Sequence, residues 1–140
     1  MKDALTSFDV MTLVAEFQDL VAGFVDKVYH AGDEIILRLN VPGRGKTEVY
    51  CRAGKWLCLH EVPAKPESPT PFAMTLRKSL DNARVIRVEQ RGFDRVVTFT
   101  LDRGGEAQLV FEQFSKGNVV LVRGGPRSRR FTRSPSSPAR

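Results

Sequence analysis

Beyond Gly23 the chain is cut into short apolar or alternating runs by closely spaced glycine and proline signals, and no other feature limits the fold so strongly. The runs span 24–29, 34–39, 47–52 and 55–59, then 83–90, 95–101, 107–114 and 118–122. Gly32-Asp33, Pro42-Gly43-Arg44-Gly45, Ala53-Gly54, Gly92, Gly104-Gly105 and Gly117 punctuate them. Alternation over segments this short puts one face on a core and the other in solvent. Glycine accepts the positive φ that tight hairpins demand. The pattern predicts about eight antiparallel strands.

Two helices accompany them. Thr6 or Ser7 can cap the first, and Phe8, Met11, Leu13, Val14, Phe17, Leu20 and Val21 largely follow helical spacing until Gly23 stops it. Asp9 falls in its first turn, where the helix dipole favours a negative charge. A second, shorter helix is expected over 72–80, entered through Pro71, with Phe72, Met74, Leu76 and Leu80 as its apolar positions. Four prolines between Val62 and Pro71 make that stretch an extended connector. The expected class is α+β: an antiparallel β-sandwich or partly closed barrel with an N-terminal helix and a second short helix.

Length fits one domain able to bury a real core. The net charge of +6 misleads, because 123–140 carries six arginines and no acid. Without those six, sixteen cations face sixteen acids, so the body is neutral and the basicity belongs to the tail. From 124 to 140, arginine, serine and proline dominate, and too few apolar groups remain to offset ordering entropy; disorder is expected there. A local surplus lies between Arg77 and Arg95, where Arg77, Lys78, Arg84, Arg87, Arg91 and Arg95 face Asp81, Glu89 and Asp94.

No apolar run approaches the roughly 20 residues of a membrane helix, and the N-terminus lacks the layout of a signal peptide. Cys51 and Cys58 flank the 53–54 turn; pairing 52 with 55 sets 51 opposite 56, so the thiols are not cross-strand partners. Free thiols and a reducing cytoplasm are the expectation. His30 and His60 have no zinc-site spacing to these cysteines, so neither metal nor cofactor is expected.

No nucleophile elbow, P-loop, HExxH or dinucleotide fingerprint is present, and Gly43-Arg44-Gly45-Lys46 reads as a hairpin loop. An enzyme is not expected. What stands out is Gly92-Phe93-Asp94-Arg95, an acid and an arginine side by side at the mouth of a strand. Neighbouring strand side chains point to opposite faces, so both cannot enter the core. The pair is either a structural clamp or a polar reading head, with Arg95 offering a donor fork for carboxylate or phosphate.

Five motifs occur in order: Thr6-Ser7-Phe8-Asp9-Val10; Val25-Asp26-Lys27-Val28-Tyr29; Pro71-Phe72-Ala73-Met74 with Leu76-Arg77-Lys78-Ser79-Leu80; Gln90 with Gly92-Phe93-Asp94-Arg95-Val96; and Lys116-Gly117-Asn118-Val119-Val120-Leu121. Together they resemble the N-terminal NFACT domain of fibronectin-binding-protein-A-like proteins and of the ribosome quality-control factors NEMF and RqcH, over residues 1–123. The resemblance implies a fold similar to the N-terminal half of formamidopyrimidine-DNA glycosylases. It implies binding to tRNA and to the large ribosomal subunit, rescue of stalled ribosomes and template-free tailing of nascent chains. It also implies that this chain is the first lobe of a longer factor.

Asp9, Asp94 and Arg95 match family positions associated with tRNA engagement, and Arg77, Lys78 and Arg91 are candidate supporting RNA contacts. An internal Asp9–Arg95 ion pair, pinning the first helix to the sheet, is the competing role. Trp56, Cys58 and His60 depart from the arginine, histidine and threonine more usual in the family. An adhesin-like protein-binding module is the alternative function. A DNA glycosylase is remote, since those enzymes begin with proline and glutamate and this chain with Met1-Lys2; DNA is not an expected partner.

Overall fold

The computed structural model describes residues 6–52, 54–61, 65, 69–90, 92, 95–113, 118–123 and 130–133, with 118, 123 and 130–133 described by backbone alone. Thr6 caps helix α1 (Ser7–Phe17): its hydroxyl accepts from Asp9 N–H at 3.1 Å, and its own N–H donates to Asp9 Oδ2 at 2.9 Å. This reciprocal box satisfies two of the amides orphaned at a helix start. The inward stripe is Val10, Leu13, Val14 and Phe17, spaced i, i+3, i+4 and i+7, with Val10 and Phe17 buried and Leu13 and Val14 half-buried against the core. Phe8 and Met11 fall outside it and are exposed, contrary to the expectation that they face the core. A 3-10 turn (Gln18–Leu20) then buries Leu20.

Four strands follow: β1 (Phe24–Ala31), β2 (Glu34–Val41), β3 (Gly45–Arg52) and β4 (Trp56–Leu59). Thr70 caps α2 (Pro71–Leu80), whose first residue is proline at the one position where a missing N–H costs nothing. Five more strands complete the chain: β5 (Arg84–Gln90), β6 (Val96–Asp102), β7 (Glu106–Glu112), β8 (Asn118–Arg123) and β9 (Arg130–Arg133). All pairings are antiparallel, in the order β4-β3-β2-β1-β5-β6-β7-β8-β9. Most of the connector 62–71 lies outside the described residues.

Two meanders, each preceded by its helix, meet at β1 and β5. Ala22 N–H donates to Val85 O and Val25 N–H to Ala83 O, while Asn82 N–H donates to Val25 O and Val85 N–H to Gly23 O. Phe24 pairs with Arg84 at the centre. The matching extends to Leu20 and Leu80, both buried, and to Ala22 and Asn82, both at positive φ (77° and 62°). Each joining strand also carries a bulge, between Val25 and Lys27 and between Val85 and Arg87. The extra residue turns Val28 and Val88 back inward beside Val25 and Val85, and all four are buried. Phe17, Phe99 and Phe111 stack in series through one continuous core, with centroid separations of 5.9 and 5.5 Å.

The sheet is not closed, but its halves are clasped. Gln113, 1% exposed just after β7, donates through Nε2 to Trp56 O at 2.8 Å and accepts at Oε1 from Gly54 N–H at 2.9 Å. The end of one meander thereby locks the β3–β4 turn of the other.

Two expectations are corrected. Cys51 pairs with Leu57 and Tyr50 with Cys58, one step out from the anticipated register because the turn takes an extra residue. The thiols are still not partners: Cys51 is buried, Cys58 is half-buried and both are free. Disorder does not hold across all of 124–140, because Arg130–Arg133 pairs with Val120–Arg123 as β9. The open edge of β8 offers unpaired backbone groups, and β-prone Phe131 and Thr132 take them.

Candidate nucleic-acid interface

The packing of α1 on β5 and β6 decides where Asp9 and Arg95 lie. Gln18 Nε2 bonds Val88 O at 2.9 Å, and Gln90 Nε2 bonds Ser7 O at 3.1 Å. These contacts hold the N-terminal turn of α1 against the end of β5. The chain reverses there through Gly92, whose φ of +58° favours glycine, and reaches Arg95 immediately before β6. Asp9 and Arg95 therefore lie at the same end of the domain.

Asp9 is half-buried, and its carboxylate completes the cap of α1. Arg95 is half-buried, and its carbonyl accepts from Gln113 N–H at 2.7 Å. The residue that clasps the two half-sheets also fixes the backbone from which the Arg95 guanidinium projects. Asp94 and Arg91 lie outside the described residues.

Arg77 and Lys78 belong to a different surface, where α2 crosses β1. Arg77 Nε donates to Val28 O at 2.8 Å, and its guanidinium carbon sits 5.4 Å from the Tyr29 ring centroid. Arg38 and Lys65 approach the same ring, each at 5.9 Å. Beneath them Glu48, only 6% exposed, accepts from Lys65 Nζ at 2.8 Å and lies 3.5 Å from Arg38 Nε. Asp26 is held by Lys46 at 3.1 Å and Arg38 at 3.6 Å. A buried carboxylate is tolerated only when paired, and here two cations pair it. Sequence reading did not single out Arg38, Lys65 or Gln113, and it named Tyr29 only within a motif. Tyr29 and Arg38 lie on adjacent strands whose register a bulge shifts, and Gln113 sits more than fifty residues from the turn it grips.

His30, 4% exposed, forms a 2.7 Å hydrogen bond from Nδ1 to Thr70 Oγ1, the cap of α2, and packs edge-on to Phe72. Burial lowers its pKa below the usual 6.5. Burial likewise pushes the Cys51 and Cys58 thiols up, and partial burial with a hydrogen bond to Glu34 pushes Tyr50 to about 12. Among the described residues no group of three or more His, Cys, Asp or Glu could hold a metal ion. Among the same residues no helix is long and apolar enough to cross a membrane.

Comparison with known proteins sets this geometry in a family. Residues 6–126 match the family described as NFACT N-terminal and middle domains. The Archaeal Rqc2 homolog aRqcH of Methanocaldococcus jannaschii is 38% identical over 130 residues, covering 87% of this chain and 19% of its own length. The Ribosome quality control complex subunit NEMF homolog of Drosophila melanogaster is 35% identical over 128 residues, covering 87% of this chain and 13% of its own. The N-terminal domain of the fibronectin-binding protein PavA from Streptococcus pneumoniae superposes with a TM-score of 0.79 at 26% identity, covering 85% of this chain and 51% of that one. The chain thus spans less than a fifth of these curated relatives' length and about half of that solved domain. The match over 6–126, most of the chain, makes this chain a member of the NFACT N-terminal and middle domain family.

Proposed function

We propose that this chain is a non-catalytic tRNA- and large-ribosomal-subunit-binding module of ribosome-associated quality control, working in the cytoplasm within a factor that rescues stalled ribosomes and tails their nascent chains. Arg95 pairs with phosphate or stacks on a base, and Asp94 and Asp9 accept from ribose hydroxyls or base amino groups. Arg77, Lys78 and Arg91 are supporting RNA contacts. The observation that carries this reading is the hydrogen bond from Gln90 to Ser7, which draws the first turn of α1 to the end of the sheet where Arg95 leads into β6. The names of the relatives, as ribosome quality control proteins, support it. With a body near neutrality, recognition falls to a few placed groups rather than to a general field.

The test is tRNA binding by this chain with Arg95→Ala and with Asp94→Ala, alongside tailing activity when the same changes are made in a full-length relative. Loss of binding or tailing with an unchanged melting temperature is expected. Unchanged binding and tailing with both substitutions would sink the proposal. A second reading, binding of an extracellular matrix protein, draws on the fibronectin-binding name of the PavA domain. Saturable binding to immobilised fibronectin, with no affinity for tRNA, would establish it instead.

A further inference from the structure

The surface where α2 crosses β1 is built to hold cations in place. A groove of about 340 Å³ runs between the two elements, lined by Asp26, Lys27, Val28, Arg77, Lys78 and Asp81 among others. Its size is in the range that accommodates a small-molecule-sized group. The acids do not cancel the cations. Asp26 is already engaged by Lys46 and Arg38, on the strand side of the groove. That leaves Lys27, Arg77 and Lys78 against Asp81 and the partial negative charge of the α2 C-terminus, a surplus of more than one positive charge.

Arg77 is also pre-oriented. Its Nε–H is fixed on Val28 O, and its guanidinium lies against Tyr29. Tyr29 in turn receives a hydrogen bond from Arg38 Nη1 at 3.4 Å, and Glu48 below draws in Arg38 and Lys65. A guanidinium held in one orientation loses less entropy on meeting a planar acceptor than a free side chain would. The half-buried arginine thus sits between two exposed lysines, Lys27 and Lys78, one on the strand and one on the helix.

We propose that this α2–β1 groove is a second RNA contact, taking the phosphodiester backbone through Arg77, Lys27 and Lys78, with Tyr29, Arg38, Lys65 and Glu48 as the scaffold that positions Arg77. The proposal rests on the RNA-binding reading above and adds a separate surface to it. Backbone contacts of this type position a nucleic acid without reading its sequence. They contribute an affinity that falls steeply with salt.

The experiment uses the whole chain and a fluorescein-labelled tRNA, with binding measured at several potassium chloride concentrations. The double reversal Lys27→Glu/Lys78→Glu removes two exposed groups and leaves the Arg77–Val28 bond intact. Lys55→Glu, an exposed reversal in the β3–β4 turn, controls for general loss of charge, which matters because the arginine-rich tail also attracts RNA. The double reversal should weaken binding about tenfold and lower the slope of log K against log salt by about 0.7 to 0.9 for each lost phosphate contact. Lys55→Glu should change the slope far less.

If the double reversal behaves like Lys55→Glu while Arg95→Ala abolishes binding, the groove proposal is overturned and the Arg95 site stands. If the double reversal acts as expected while Arg95→Ala has no effect, the groove stands and the Arg95 reading fails. No binding by the unaltered chain overturns both.

Discussion

Replacing Gln113 with leucine tests whether the two meanders are held by one side chain. The amide's assignment is dictated by its surroundings: Gly54 N–H can only donate to Oε1, and Trp56 O can only accept from Nε2. Leucine fills a similar volume and leaves the Gln113 N–H bond to Arg95 O in place. Gly54 N–H, in a buried residue, then loses its partner, and so does the half-buried carbonyl of Trp56. Stranding a buried polar group costs about 1–3 kcal/mol, so Gln113→Leu should destabilise the domain by about 2–4 kcal/mol. Against a total of about 5–15 kcal/mol that is a large fraction. For a domain of this size it lowers Tm by roughly 10 °C.

The assay is urea and thermal unfolding followed by circular dichroism. Gln113→Glu sharpens it. The glutamate keeps the acceptor for Gly54 and, when protonated, the donor for Trp56, whereas its buried carboxylate has no donor to offer. Burial raises its folded pKa above the usual value of about 4.3, so its stability is retained below that pH and lost as pH rises through the folded value. Gln113→Glu should thus approach wild-type stability near pH 4 and fall well below it at pH 7. Leucine and glutamate variants both within about 0.5 kcal/mol of wild type at pH 7 would refute the clasp.

Three further outcomes are expected. Because burial holds His30 below its usual pKa of 6.5, the unfolded chain takes up its proton first as pH falls. Stability is then complete above pH 6.5 and declines below it, and His30→Gln should flatten that slope in urea melts between pH 7.5 and 5.5. Cys58 should react with a thiol reagent well before Cys51, which is fully enclosed; equal rates in the native protein would contradict the packing of β3. Ala22, at φ +77°, pays the steric cost of the left-handed region, so Ala22→Gly should raise stability by about 0.5–1 kcal/mol, and a lower Tm would show the assigned conformation to be wrong.

Asp9 illustrates why function and structure must be separated by experiment. Its carboxylate caps α1, so Asp9→Ala costs stability whatever it does to RNA, and Arg95→Ala is the cleaner probe. The hairpins and both helices were legible because their signals are local: glycine at turns, alternation along strands, Thr6 with Asp9 at a helix start. Phe8 and Met11 misled for the opposite reason. Helical spacing says which residues share a face but not which of two overlapping faces the sheet will cover, and β5 and β6 took Val10 and Phe17.

The sequence by itself determined that the chain would form antiparallel hairpins with a capped leading helix, and it placed Asp9 and Arg95 among the groups to watch. Only the tertiary structure decided that those two lie at one end of the domain, that Gln113 locks the β3–β4 turn, and that Arg77 is steadied by Tyr29 where α2 crosses β1. The division follows from range. Turns and caps are set by backbone preferences within a few residues, whereas a clasp across the sheet and a bulge that redirects a strand depend on which distant surfaces bury each other.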